Sequence, residues 1–223
     1  MKKIILISGK AEAGKDSAAQ YWQKKLSKTC VLHFSDYLKY ICKEYFGWNG
    51  EKDVVGRTIL QYVGTDLVRV KYNKPTYWVE RVCDVVEFAS EQYDYFIVPD
   101  CRFPDEIFTT LSRFGNENVL SIRVERNGHE NKLTPDQRKH ESETVLDNFK
   151  YFSYHAFSYP GLETLYKSLD DIAVMAGLEY EEDKSTAELQ YRIHMNEELS
   201  KKAPQSTDWD IKHQAPLKIY EDL

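Results

Sequence analysis

The chain has 223 residues, 42% of them hydrophobic and 30% charged, with a formal net charge of −6. Such a composition excludes a disordered chain, and no run of about 18 apolar residues is present to cross a bilayer. The acidic balance argues against a general nucleic-acid-binding surface, which needs clustered Lys and Arg, yet leaves room for a small anion in a local basic pocket.

The opening Lys3–Ser8 is a β-branched apolar run that stops at Gly9, the pattern of a buried strand. Its apolar core is too short for a secretory leader, so a cytoplasmic protein is expected. Asp16 to Leu26 follows with Ala18, Ala19, Trp22 and Leu26 at helical spacing. Cys30–Phe34 reads as a second strand, with Ser35-Asp36 as a helix cap before YLKYICKEYF. Two helical stretches come next, Val54 to Val70 and Tyr77 to Gln92, divided at Pro75.

Tyr95–Pro99 is a third strand and closes on Asp100. Pro104 opens a helix that runs to about Phe114, before Gly115. Val119–Val124 is a fourth strand, and the polar stretch 127–143 after it has no core pattern. Tyr154–Ser158 is a last strand, turning through Tyr159-Pro160-Gly161 into a helix over Leu162–Ala176. Beyond Gly177 the chain becomes a charged extension, 178–223, with little apolar stripe. Cys30, Cys42, Cys83 and Cys101 form no C-x-x-C pair, as in a reduced compartment, and no zinc-site spacing occurs.

Strands alternating with helices predict an α/β fold of three layers, a mostly parallel sheet with helices on both faces. Ligands of such sheets bind outside the carboxyl ends of the strands. Gly9, Asp36, Asp100 and Arg126 all fall at that edge.

Within the first turn the residues GKAEAGKDS carry the spacing G-x-x-x-x-G-K. Backbone N–H groups at a helix start approach phosphate oxygens closely only where side chains are absent. Gly9 and Gly14 supply that room, with Lys10 and Ala13 in the same loop, and Lys15 would reach the terminal phosphates. The usual Ser or Thr after the lysine is replaced by Asp16, and a hydroxyl follows one place later as Ser17. Either would serve Mg2+, a hard cation that prefers oxygen ligands; an acidic residue in a first helical turn is also favoured by the helix dipole alone.

A second cluster, DCRFPDE, follows the third strand. Asp100 there suits a general base or an outer magnesium ligand, and Arg102 a bidentate phosphate clamp. The plainer alternative is that the two pair and cap the helix at Pro104. Gln61, Thr65 and Arg69, at i, i+4 and i+8, share one helical face, which is either solvated or lines a pocket. Phe34, Tyr37, Tyr62 and Trp78 are core residues or a stacking platform for a base.

Five stretches in order, GKAEAGKDS, FSDYLKYICKEYFGW, ILQYVGTDLVR, PDCRFPDE and KHESE, resemble the phage-type deoxynucleoside monophosphate kinases. Those P-loop kinases carry GKD[TS], F-[AS]-D-x-L-K, LQ-x-x-GT-[DE]-x-x-R, D-x-RFP-[DN]-E and H-x-SE stretches. The likeness spans about residues 1 to 176 and leaves the charged extension outside.

The resemblance implies a P-loop kinase domain over 1–177 that moves the γ-phosphoryl group of ATP to a deoxynucleoside monophosphate, with Mg2+. Gly9, Lys10, Ala13, Gly14, Lys15, Asp16 and Ser17 would take the triphosphate, with Asp16 and Ser17 as metal ligands. Asp36, Gln61, Thr65, Asp66 and Arg69 would take the acceptor, and Phe34, Trp78, Arg102 and Glu143 are further candidates for it. Lys15, Arg102, Arg126 and Asp100 would carry the transfer, and 127–143 would be a lid whose cationic candidates are Arg138, Lys139 and His140, with Arg138 on the triphosphate; a solvated loop with scattered charge is the plainer alternative.

The loop at Tyr159-Pro160-Gly161 would touch the adenine. No membrane or nucleic-acid polymer is expected as a partner, and the compartment is the cytoplasm, a host's if the chain is phage-encoded. A monomer and a homodimer both stay open. So do two other readings: a dephospho-coenzyme A or phosphomevalonate kinase on the same scaffold, and a nucleotide-switched binding protein that uses 178–223 to reach a partner.

Overall fold

A computed structural model describes residues 2–126, 128, 132–159 and 161–180. Most of the expected C-terminal extension, part of the expected lid and Pro160 of the expected adenine loop lie outside these residues. Five strands form one sheet: β1 (Lys3–Ser8), β2 (Thr29–Val31), β3 (Tyr95–Cys101), β4 (Val119–Arg126) and β5 (Tyr154–Ser158). Their order is β2-β3-β1-β4-β5 and every pairing is parallel. The fold is α/β with helices on both faces, three layers as expected, and the sheet is wholly rather than mostly parallel.

Parallel strands buried on both faces read as unbroken apolar runs, and β1 does so because it is central. Its alternate side chains feed two cores. Ile5 and Ile7 pack with Trp22, Ile122, Leu165 and Leu169 on the face covered by α1 (Lys15–Lys25) and α8 (Glu163–Met175). Ile4 and Leu6 pack with Val79, Val82, Phe96 and Ile107 on the other face, under α4 (Tyr77–Phe88) and α5 (Pro104–Phe114). Each such side chain, fully buried, stabilises the fold by about 1.5–3 kcal/mol.

A third, smaller core joins Leu38, Cys42, Trp48, Val63 and Trp78. It holds α2 (Ser35–Tyr45) and α3 (Val54–Gln61) beside α4, outside the sheet's carboxyl edge. Residues Tyr62–Lys71 continue α3 as a π-helical segment. The sequence reads 54–70 as one helical stretch; the structure widens its second half to i→i+5 bonding, a winding often found at functional sites. The short helices α6 (Pro135–Lys139) and α7 (Glu141–Thr144) lie in the expected lid. No helix among the described residues is long and apolar enough to cross a membrane.

Candidate active site

The β1–α1 turn is built around two glycines. Gly9 has φ +151°, and a Cβ there would stand 2.6 Å from the Val124 carbonyl oxygen. Gly14, φ +105°, is the residue from which α1 starts. Lys15, the first helical residue, is buried and donates from Nζ to the carbonyls of Gly9 at 2.8 Å and Lys10 at 2.7 Å. Burial, and then the neighbouring Arg102 guanidinium, lower its pKa to about 8.

Two cavities open on this turn. The first, about 360 Å³, lies between the turn, α2, the π-helical segment and the end of β3. Phe34, Leu38, Leu60, Trp78 and Phe103 line it with apolar surface, and Gln61, Thr65, Arg69, Asp100, Arg102 and Glu143 with polar groups. The second, about 290 Å³, is lined by Ala13, Gly14, Ser17, Arg126, Ser158, Gly161 and Leu162. Glu12, Lys15 and Asp16 line both. The two spaces therefore meet at the lysine.

The polar side chains around this junction hold one another. Arg102 Nη1 is ion-paired with Glu143 Oε1 and donates to the Ser142 carbonyl at 3.1 Å. Glu143 Oε2 in turn accepts the backbone N–H of Ala11 in the turn, at 3.3 Å. Asp100 accepts the backbone N–H of Phe34 and of Ser35, one on each oxygen. Arg126 Nη1 donates to the Glu12 carbonyl at 2.9 Å.

Arg69 is buried against Phe103, its guanidinium carbon 4.0 Å from the ring centre, and pairs with Glu106 at 2.6 Å. Glu106 Oε2 also accepts the backbone N–H of Arg102 and Phe103. Burial pushes the Glu106 carboxyl up to about 7, against the pull of Arg69 and these two amides.

Most residues expected to bind or catalyse thus converge, but Tyr37, Tyr62, Lys139 and His140 line neither cavity, and four more are placed elsewhere. Asp36 is exposed, accepts the His33 N–H and pairs with Lys39, so it lines neither cavity. Asp66 points away from the first cavity, toward His140. Thr65 and Arg69, four residues apart, line the cavity, while Asp66 does not. Lys10 is drawn off by Asp147 and the Glu143 carbonyl, each at 2.6 Å. Arg138 donates to the Leu133 carbonyl within the lid segment and lines neither cavity.

Glu106, Glu12, Lys52 and Arg57 also line the first cavity, though none is among the site residues expected from the sequence. Glu106 had a legible signal, the third position of a helix that opens on Pro104, where an acid reaches back to free amides. Arg57 and Lys52 carry none, since neither belongs to a motif with a chemical role.

No three His, Cys, Asp or Glu side chains gather to cage a metal among the described residues. Magnesium retains waters and needs only one or two protein oxygens when phosphates supply the rest. Asp16 and Ser17, adjacent at the start of α1 and both on the second cavity, fit that requirement. No protein-family model matches this chain, and no curated protein matches its sequence.

Proposed function

We propose that the protein is a magnesium-dependent deoxynucleoside monophosphate kinase. In this reading ATP lies in the second cavity and the acceptor in the first. An oxygen of the acceptor's phosphate attacks the γ-phosphorus of ATP and forms a new P–O bond. The bond from that phosphorus to the β-phosphate oxygen breaks, ADP leaves, and the acceptor becomes a diphosphate.

The observation that carries the reading is the junction of two cavities at one buried lysine of a glycine turn. Phosphoryl transfer asks little covalent chemistry of a protein; it needs two anions held in line and their charge neutralised. Lys15 stands between the two spaces, with Arg102 on the first and Arg126 on the second. Magnesium, carried by the phosphates and held through Asp16 and Ser17, would add charge neutralisation when bound.

Aromatic and aliphatic walls at Phe34, Trp78, Phe103 and Leu38 suit the face of a base. Glu143 holds Arg102 beside the turn, where a transferring group would pass. The choice of a deoxynucleotide acceptor rests on the resemblance carried by ILQYVGTDLVR and DCRFPDE.

The test is a coupled ADP-release assay with ATP and magnesium. Its acceptors are the four common dNMPs, modified pyrimidine monophosphates, dephospho-coenzyme A and phosphomevalonate. Turnover with at least one dNMP, lost in a folded Lys15→Ala variant, supports the reading. Turnover with only the last two acceptors, or nucleotide binding with no acceptor-dependent turnover, overturns it.

A further inference from the structure

We propose that His140 and Asp66 form a latch that ties the lid segment to the wall of the first cavity, so that filling the cavity sets the lid. The inference rests on the reading of that cavity as the acceptor site. His140 stands between α6 and α7. Its Nδ1 accepts the Ser142 backbone N–H at 3.2 Å and lies 2.9 Å from the Ser142 hydroxyl. With that lone pair occupied, the neutral ring carries its proton on Nε2.

Nε2 is buried and has no hydrogen-bond partner among the described residues. The group in front of it is Asp66 Oδ1, 3.8 Å away, beyond the ~3.2 Å of an N–H···O bond. A buried donor that stops just short of a carboxylate is a contact that a small displacement completes. The Asp66 side chain is 58% exposed, so the contact does not strand a carboxylate away from water.

The partner's position gives this contact its meaning. Asp66 belongs to the π-helical segment, and its immediate neighbour Thr65 lines the cavity, as does Arg69 one turn on. An acceptor that presses on Thr65 and Arg69 therefore acts on the turn that carries Asp66.

Two further lid residues rest on the same wall. Gln137 Nε2 lies 3.5 Å from the Val54 carbonyl of α3, and Leu133 lines the cavity itself. The far end of the segment is hooked to the glycine turn and Arg102 through Glu143. Closing the His140–Asp66 gap draws the lid toward the acceptor wall while Glu143 holds its other end. Both latch residues are positioning residues, since neither lines a cavity.

The full chain, labelled with 15N at histidine, is titrated with each of the four common dNMPs and the modified pyrimidine monophosphates while NMR follows the His140 Nε2–H. We expect a hydrogen-bonded, slowly exchanging proton signal to appear with the dNMP that is turned over, and to be absent in Asp66→Ala. Asp66→Ala and His140→Ala should each raise that acceptor's KM about tenfold. The double variant should be no worse than either single one. Melting temperature and ATP KM should hold in all three.

An unchanged His140 signal with an acceptor that is turned over, or additive effects of the two substitutions, overturns the latch. Should the wild type turn over dephospho-coenzyme A or phosphomevalonate and no dNMP, the acceptor reading falls alone and the latch is read with the acceptor that works. No turnover with any of them overturns both.

Discussion

The carboxylate of Asp100, near the end of β3, accepts the backbone N–H of Phe34 at 2.9 Å, and its second oxygen accepts that of Ser35 at 3.0 Å. The start of α2 has no side-chain cap of its own. It is capped from the neighbouring strand, where the free amides and the helix dipole both favour a carboxylate. This contact fixes the aromatic wall of the first cavity to the sheet edge that carries Arg102.

Asp100→Ala should therefore lose about 1–3 kcal/mol of stability, because two partly buried amides are left without acceptors. Urea denaturation measures it. Asp100→Asn keeps one acceptor oxygen and should lose less.

Gly9→Ala should cost about 2 kcal/mol or more, since the new methyl would meet the Val124 carbonyl and the backbone has φ +151°. Gly14→Ala should be milder at the contact, as it meets the tip of Leu165 at 3.1 Å. Denaturation midpoints of the two variants, side by side, check the order.

Glu106 gives a pH signature. Its folded pKa of about 7 lies above the ordinary 4.5, so between these values the unfolded chain releases a proton that the folded protein keeps. Its contribution to stability is complete below about 4.5 and is lost as pH rises through 7. Glu106→Gln should flatten that part of the stability–pH curve. It should also lower stability at acid pH little, where the wild-type carboxyl is already neutral.

Arg102→Ala should lower kcat by about 10²–10³-fold and raise the acceptor KM less, as expected of a donor that works mainly on developing charge. Arg102→Lys should restore little, because a point charge does not reproduce the planar fork. A KM effect larger than the kcat effect would make Arg102 a ground-state binder.

Asp16→Asn should raise the magnesium concentration needed for half-maximal turnover, since a neutral amide is a poorer ligand for a hard cation. A magnesium titration indistinguishable from wild type would remove Asp16 from the metal.

Much of the architecture was legible from residue order. Lys3–Ser8 announced a buried strand by its unbroken apolar run, and it is the central strand. Ala18, Ala19 and Trp22 announced the buried face of α1 by their spacing. Gly9, Gly14 and Lys15 announced the turn between them. Periodicity and glycine placement are local properties, and each follows from the backbone geometry of one element.

Other features involve partners far apart in the chain. The pairing of Arg69 with Glu106 spans 37 residues, and the hold of Glu143 on Ala11 spans 132. Asp36 has the composition of a cap, yet Asp100 does the capping, because a helix start accepts whichever carboxylate the fold brings to it. The π-helical winding of Tyr62–Lys71 differs from an α-helix in its hydrogen-bond register, which apolar spacing over ten residues does not resolve. Order along the chain was enough to name the layers and the glycine turn. Which charges are neutralised, which are buried, and which remain facing the two cavities depended on contacts across the fold, where burial and Coulomb interactions act between residues that no local pattern connects.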